Sequence, residues 1–96
     1  MNLKPTSLGF RMQKSIWGSC SPENKISLNK KLIVAPLEVI DYVVVHELAH
    51  IRYKNHSQQF WSFVEKYVDS HSSSRRWLNE NQYLSDFLSS RSELWP

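Results

Sequence analysis

The stretch VVVHELAHIRYKNH, Val43 to His56, sets two histidines four residues apart, a glutamate directly after the first, and a third histidine six residues past the second. On a helix, His46 and His50 differ by about 40° of rotation and about 6 Å of rise, so their imidazoles on adjacent turns converge on one cation. Glu47 stands about 100° further round and flanks the pair, where its carboxylate reaches a metal-bound water without taking a coordination place. His56 would lie roughly 80° off that face and about 15 Å along a continuous helix. It joins the site only where the chain turns back, and Tyr53 to Asn55 supply the turn. A helix break and a third ligand are thus a single expectation.

Upstream, Leu37, Ile40, Val44, Leu48 and Ile51 recur at spacings of three and four, which predicts a helix of about four turns with that stripe inward. Pro36 suits its first position, Glu38 and Asp41 its first turn, and Arg52 and Lys54 its end. Asn55 is expected to close it in a left-handed conformation. Downstream, Ser57 reads as the N-cap of a second helix with Phe60, Val64, Tyr67 and Val68 inward. Ser70-His71-Ser72-Ser73-Ser74 reads as a loop, and a third helix starts near Ser74, carrying Trp77, Leu78 and Leu84. The tail from Ser89 is weakly determined.

The N-terminal third is extended. Ser7 to Ile16 forms one strand, Trp17 to Ser21 a bend, and Pro22-Glu23-Asn24 a turn; Lys25 to Val34 follows as a strand with Ile26, Leu28, Leu32 and Val34 on one face. Two or three antiparallel strands result. The fold class is therefore α+β: residues 1–35 mainly strands, 36–88 mainly helices, 89–96 a tail, all within one domain spanning 1–96.

Composition bounds the function. A chain of 96 residues has room for one small core, and a bound metal would help to stabilise it. The single cysteine, Cys20, excludes an internal disulfide, the N-terminus lacks a signal-peptide pattern, and the longest apolar runs fall far short of a bilayer span. A soluble cytoplasmic protein without membrane association is expected. The net charge of +3 permits weak nucleic-acid association, but the twelve Lys and Arg are spread along the chain, as on an ordinary solvated surface.

With three neutral imidazoles as ligands, one Zn²⁺ ion keeps an open position and lowers the pKa of its water to about 7. Glu47 would take the proton during attack on a peptide carbonyl and pass it to the leaving nitrogen. Chance alone produces His-Glu-x-x-His in a chain this short on the order of a few times per thousand. Here the motif also lies in an apolar-periodic helix and is followed by a histidine after a turn.

Further motifs accompany it in order: Trp17-Gly18-Ser19-Cys20-Ser21, Ile26-Ser27-Leu28-Asn29, Leu32-Ile33 with Ala35-Pro36, Tyr42 to His50, and Asn55-His56-Ser57 with Phe60-Trp61. Together they closely resemble the YgjP-like metal-dependent hydrolase (metallopeptidase) family, and more distantly SprT-like proteases, from Phe10 to about Trp77. The resemblance implies a zincin-like α+β fold with a small sheet beside the active-site helix, zinc on His46, His50 and His56, and Glu47 as the catalytic residue. It also implies that an edge strand aligns a protein or peptide substrate, and Trp17, Gly18 and Ser19 are the candidates for that groove. Members of the family usually carry a longer N-terminal region than the nine residues that precede Phe10 here, so either a minimal or excised catalytic domain, or one lacking substrate-binding elements, is expected.

Other residues have weaker roles. Cys20 reads as a small buried hydrophobe; as a fourth ligand it would turn an open site into a closed, structural one. His71 reads as exposed, Tyr53 as packing, and Arg75 and Arg76 as surface charge, though each is a candidate donor to a tetrahedral intermediate. Trp61 and Trp77 read as core. Asn29 either orients a ligand histidine or closes a strand. The reading is a zinc-dependent metallopeptidase that cleaves peptide bonds by Glu-assisted attack of a zinc-bound water. Its rivals are a zinc-stabilised protein- or nucleic-acid-binding module without catalysis, and a metal-free domain with incidental histidines.

Overall fold

The computed structural model describes residues 3–12, 16–69 and 71–81. Three strands, β1 (Ser7–Arg11), β2 (Gly18–Cys20) and β3 (Lys25–Asn29), precede three helices, α1 (Leu37–Arg52), α2 (Gln58–Glu65) and α3 (His71–Glu80). A 3-10 turn, Lys30–Val34, joins sheet to helices. No helix among the described residues is long and apolar enough to cross a membrane.

The sheet order is β1-β3-β2. β2 pairs antiparallel with β3 in the register Ser19 opposite Ser27, while β1 pairs parallel with β3, Leu8 opposite Ile26. The expected all-antiparallel sheet is therefore mixed. Two chain reversals return β3 to the direction of β1, and β3 then inserts between β1 and β2. Alternation in sequence assigns faces to strands but does not choose their neighbours. The tight turn between β2 and β3 needs a left-handed residue, and Asn24 supplies it with φ 67°.

Both long strands are shorter than their patterns suggested. β1 stops at Arg11, and β3 stops at Asn29 because the Asn29 side chain accepts from Lys31 N at 3.0 Å and starts the 3-10 turn. Leu32 is still buried, but Val34, expected on the same face, points outward.

α1 is the central helix, packed on β2, β3, α2 and α3. Its fully buried face is Val39, Tyr42, Val43, His46, Glu47 and Ala49, about one residue round from the expected stripe. Ile40, Val44, Leu48 and Ile51 are only half-buried, and Leu37 is 71% exposed. The reason is that Val43-Val44-Val45 is apolar on every side: Val44 and Leu48 line a cavity with Ile26 and Leu28 of the sheet, while Tyr42 and Val43 enter the core. Pro36 caps the helix from outside instead of occupying its first position, its carbonyl accepting from Val39 and Ile40. The helix closes on Tyr53 in an extended conformation, and Asn55 is not left-handed.

Ser57 caps α2, its hydroxyl accepting from Phe60 N at 3.3 Å, and Phe60, Phe63 and Val64 are buried. Tyr67 lies past the end of this helix and is exposed. α3 begins at His71, so the serine-rich stretch is largely its first turn, and Leu78 is its core residue. Trp17 ties sheet to helix by donating its indole N–H to the Leu78 carbonyl at 3.2 Å. Leu84 and the tail from Ser89 lie outside the described residues.

Candidate metal centre

α1 presents His46 and His50 on one face with ring centroids 4.9 Å apart. The chain turns after Arg52, and His56 comes back to 5.2 Å from the His46 ring and 4.7 Å from the His50 ring. One ligand nitrogen from each of the three falls within 4.8 Å of the others. This is the cluster expected from the sequence, and the helix break is what assembles it.

His50 is oriented by its neighbour in the turn: its Nδ1 lies 2.8 Å from the Tyr53 carbonyl, an acceptor, so Nδ1 carries the proton and Nε2 the lone pair. That Nε2 faces His56 Nε2 at 3.1 Å. Nitrogens held by zinc at about 2.0–2.1 Å and a tetrahedral angle stand roughly 3.4 Å apart. The observed spacing brackets that value, and the residues fit a divalent metal.

Burial keeps the ligands in the form a metal needs. It lowers His46 to about 3, with the Arg75 charge adding to the effect, and lowers His56 to about 4, with His46, His50 and Arg75 contributing. His50 is lowered by burial as well. Neutral imidazoles are metal ligands, whereas imidazolium is not. Phe60, wholly buried, forms the apolar wall: it stacks on His50 at 4.4 Å and meets His46 and His56 edge-on at 5.0 Å each.

Glu47 is 2% exposed, its Oε2 3.2 Å from His46 Nδ1. Burial raises its carboxyl to about 7, against the lowering influence of His50, which places the proton affinity of this group near neutrality. Gly18 makes room for it: a β-carbon at this position would lie 3.1 Å from Glu47 Cγ and 3.2 Å from Oε2.

Gly18, Ser19 and Cys20 line a cleft of about 240 Å³ with His46, Glu47, His50, Lys54 and His56. A larger cavity of about 550 Å³ lies between the start of α1 and α3 and is lined by none of the three histidines. Trp17, expected in the groove, is wholly buried beneath Leu78; only its neighbours reach the cleft. An indole followed by Gly-Ser reads equally as platform or core, and here the Leu78 carbonyl decides. Cys20 is half-buried, its thiol raised by burial, and its sulfur is not in the ligand cluster. Asn29 closes β3, donating to the Ile16 carbonyl at 2.9 Å.

Residues 1–81 match the model of the YgjP-like family, described as YgjP-like, metallopeptidase domain. The chain belongs to this family. Membership makes it a metallopeptidase-type hydrolase, implying a divalent metal and a protein or peptide substrate. The fold resembles the crystal structure of the metallopeptidase zymogen of Pyrococcus abyssi abylysin, with TM-score 0.72 and 22% identity over 83% of this chain and 82% of that one. The zincin-like α+β architecture expected for the YgjP-like chain is the fold observed. No curated protein matches the sequence.

Several features of the site were not found in the sequence. His71 is not in an exposed loop: it stacks on Trp61 at 5.2 Å and pairs with Glu65 at 3.0 Å. Trp61 packs against the core as expected, and it also flanks His46 at 6.1 Å and His56 at 6.0 Å.

Proposed function

We propose that this YgjP-like chain is a zinc-dependent peptidase in which His46, His50 and His56 hold the ion and Glu47 is the general base. The reading rests on one observation: three histidine nitrogens within 4.8 Å of one another, with the buried Glu47 carboxyl beside them and a cleft in front. A bound ion would supply Lewis acidity, polarising a carbonyl and easing the ionisation of water at neutral pH.

The chain's own groups do the rest. Glu47 accepts the proton of the attacking water and returns it to the leaving nitrogen, a role suited to a carboxyl whose burial holds it near neutrality. β2 is an edge strand, paired with β3 on one side, and its residues Gly18 to Cys20 line the cleft. A substrate segment laid along Gly18 and Ser19 as an added strand gains backbone hydrogen bonds and passes the three histidines. Phe60 keeps water from the back of the site.

The test combines elemental analysis with hydrolysis of an unfolded protein such as casein. Wild type is expected to hold one equivalent of zinc and to cleave; Glu47→Gln should keep the metal and lose turnover. Retained turnover in Glu47→Gln would sink the mechanism. Metal without hydrolysis in wild type would favour the zinc-stabilised binding module.

A further inference from the structure

β2 gives the cleft a direction. Gly18 marks the catalytic end, since a β-carbon there would lie 3.2 Å from the Glu47 Oε2. Cys20 lies two residues further on, just before the turn that carries Asn24, and the Asn24 Oδ1 accepts a hydrogen bond from the Lys54 ammonium at 2.5 Å. Cys20 and Lys54 both line the cleft with the three histidines. Residues of a strand rise about 3.3 Å each, so Lys54 stands roughly two to three residues along β2 from Gly18. The charges act on Cys20 accordingly: burial raises its thiol, and Lys54 lowers it more than Glu47 raises it.

Lys54 follows the end of α1, in the corner that returns His56 to the site. It is exposed, and among the described residues the ion pairs are His46–Glu47 and His71–Glu65, so no described carboxylate neutralises it. An ammonium has three donors and no acceptor. Asn24 takes one of them with a neutral amide oxygen, which leaves the charge and two donors for a ligand. The tether has a further effect, because a free lysine loses much of what an ion pair gains in ordering its long side chain. Asn24 is fixed in turn as the left-handed residue, φ 67°, of the β2–β3 turn. Glu47 is the one carboxyl in the cleft lining, and it is buried at the Gly18 end. An accessible cation beside a buried acid attracts negative segments.

β2 is an outer strand, open to an added segment. The α-carbon substituent of Gly18 would point at Glu47 and Val43 of α1, and Cys20, two residues on, shares that face. Side chains of an added strand on the same face are also two residues apart. When one stands beside Gly18 and the histidines, the next comes to Cys20 and Lys54.

We propose that Lys54, held by Asn24, is a specificity residue that takes a carboxylate of the bound peptide two or three residues from the bond cleaved. That distance rests on the peptidase reading; the preference for a carboxylate does not. An acidic side chain reaches Lys54 in either strand direction, and the peptide's own C-terminus only when the added strand runs parallel to β2.

Four octapeptides of alanine and serine distinguish the cases: acetylated amides with one central glutamate, glutamine or lysine, and the glutamine peptide as a free acid. Affinities are measured by calorimetry on zinc-loaded Glu47→Gln protein, so that nothing is consumed. Glutamate over glutamine, or free acid over amide, should bind about fivefold more tightly, as a partly exposed charge pair gives, and salt at about 1 M should erode the preference. The first preference identifies a side chain and the second the C-terminus. Adding Lys54→Met should bring the ratio close to one, and Lys54→Glu should reverse it, so that the lysine peptide binds more tightly than the glutamate one. Asn24→Gly, which suits the left-handed turn but lacks the amide oxygen, should keep only part of the preference. Equal affinities in both pairs, no measurable binding of any peptide, or a ratio unmoved by Lys54→Met would overturn the proposal. Should a variant lose zinc, the peptide pairs and their salt dependence decide alone. Mass spectrometry of the preferred peptide after wild-type cleavage locates the bond, and a cut next to the carboxylate-bearing residue would overturn the stated distance. Absence of hydrolysis in wild type would count against the peptidase reading and leave the affinity ratio standing.

Discussion

Gly18 and Glu47 meet in tight quarters: a β-carbon on Gly18 would stand 3.2 Å from the Glu47 Oε2 and as close to Val43 Cγ1, so both side chains would have to give by a few tenths of an ångström. The glycine lets strand β2 approach the carboxyl and keeps that carboxyl turned toward the histidines. Gly18→Ala should therefore destabilise the fold by about 1–3 kcal/mol through overpacking. It should also lower kcat well below what the fraction unfolded explains. Thermal melts beside casein turnover at low temperature check this; unchanged kcat would mean that Glu47 does not depend on the space.

Metal removal should weaken the fold. A ligand at a hundred times its Kd stabilises by about 2.7 kcal/mol, and in a chain of this size each kcal/mol moves Tm by about 4–8 °C. Chelation should thus lower Tm by on the order of 10 °C, and His56→Ala, which removes the ligand beyond the turn, should lose most of that response. A melt indifferent to chelator would leave the histidines without a metal.

Phe60 touches all three imidazoles, so Phe60→Leu should loosen their geometry while keeping most of the apolar volume. Supporting contacts of this kind are worth about 10–100-fold in metal affinity. Competition with a chromogenic zinc chelator measures the change. Wild-type affinity in Phe60→Leu would reduce the ring to filler.

The pH dependence of the chelated protein follows from the shifted groups. His46 and His56, at about 3 and about 4 when folded, have an ordinary value of 6.5, so the unfolded chain takes up their protons first and stability is lost as pH falls from about 6.5 through 4 to 3. Glu47 acts in the opposite sense: raised from 4.5 to about 7, it contributes most below 4.5 and loses that contribution as pH rises through 7. Two imidazoles outweigh one carboxyl, and urea midpoints should rise from pH 4 to 6.5. A midpoint that falls across that range would contradict the lowered His46 and His56.

Trp17 sits in the core, so Trp17→Phe should cost about 1–2 kcal/mol for the lost bond to Leu78 and some packing. At temperatures well below Tm, KM for peptides should not move. A raised KM with unchanged stability would return Trp17 to the substrate groove.

The helix, its break and its three histidines could be read from spacing alone, because a 3.6-residue repeat fixes which side chains meet within and just beyond one element. Ser57 as a cap was equally local. What depended on distant parts of the chain was not legible. The parallel pairing of β1 with β3 depends on which strand inserts between which, and the identity of the buried face of α1 depends on what packs on either side of Val43-Val44-Val45. Arg75 lies over the Trp61 ring from fourteen positions away on a different helix, and neither has a local pattern that announces the other.

The sharp corner after Arg52 also bears on the order of assembly. His46 and His56 are ten positions apart, a loop whose closure costs little entropy, while Trp17 must find Leu78 across sixty-one. An ion captured by that corner would hold α1 against α2 while the sheet is still forming. Refolding with zinc present should then be faster, not merely more complete, and stopped-flow refolding with and without the ion separates a template from a late passenger.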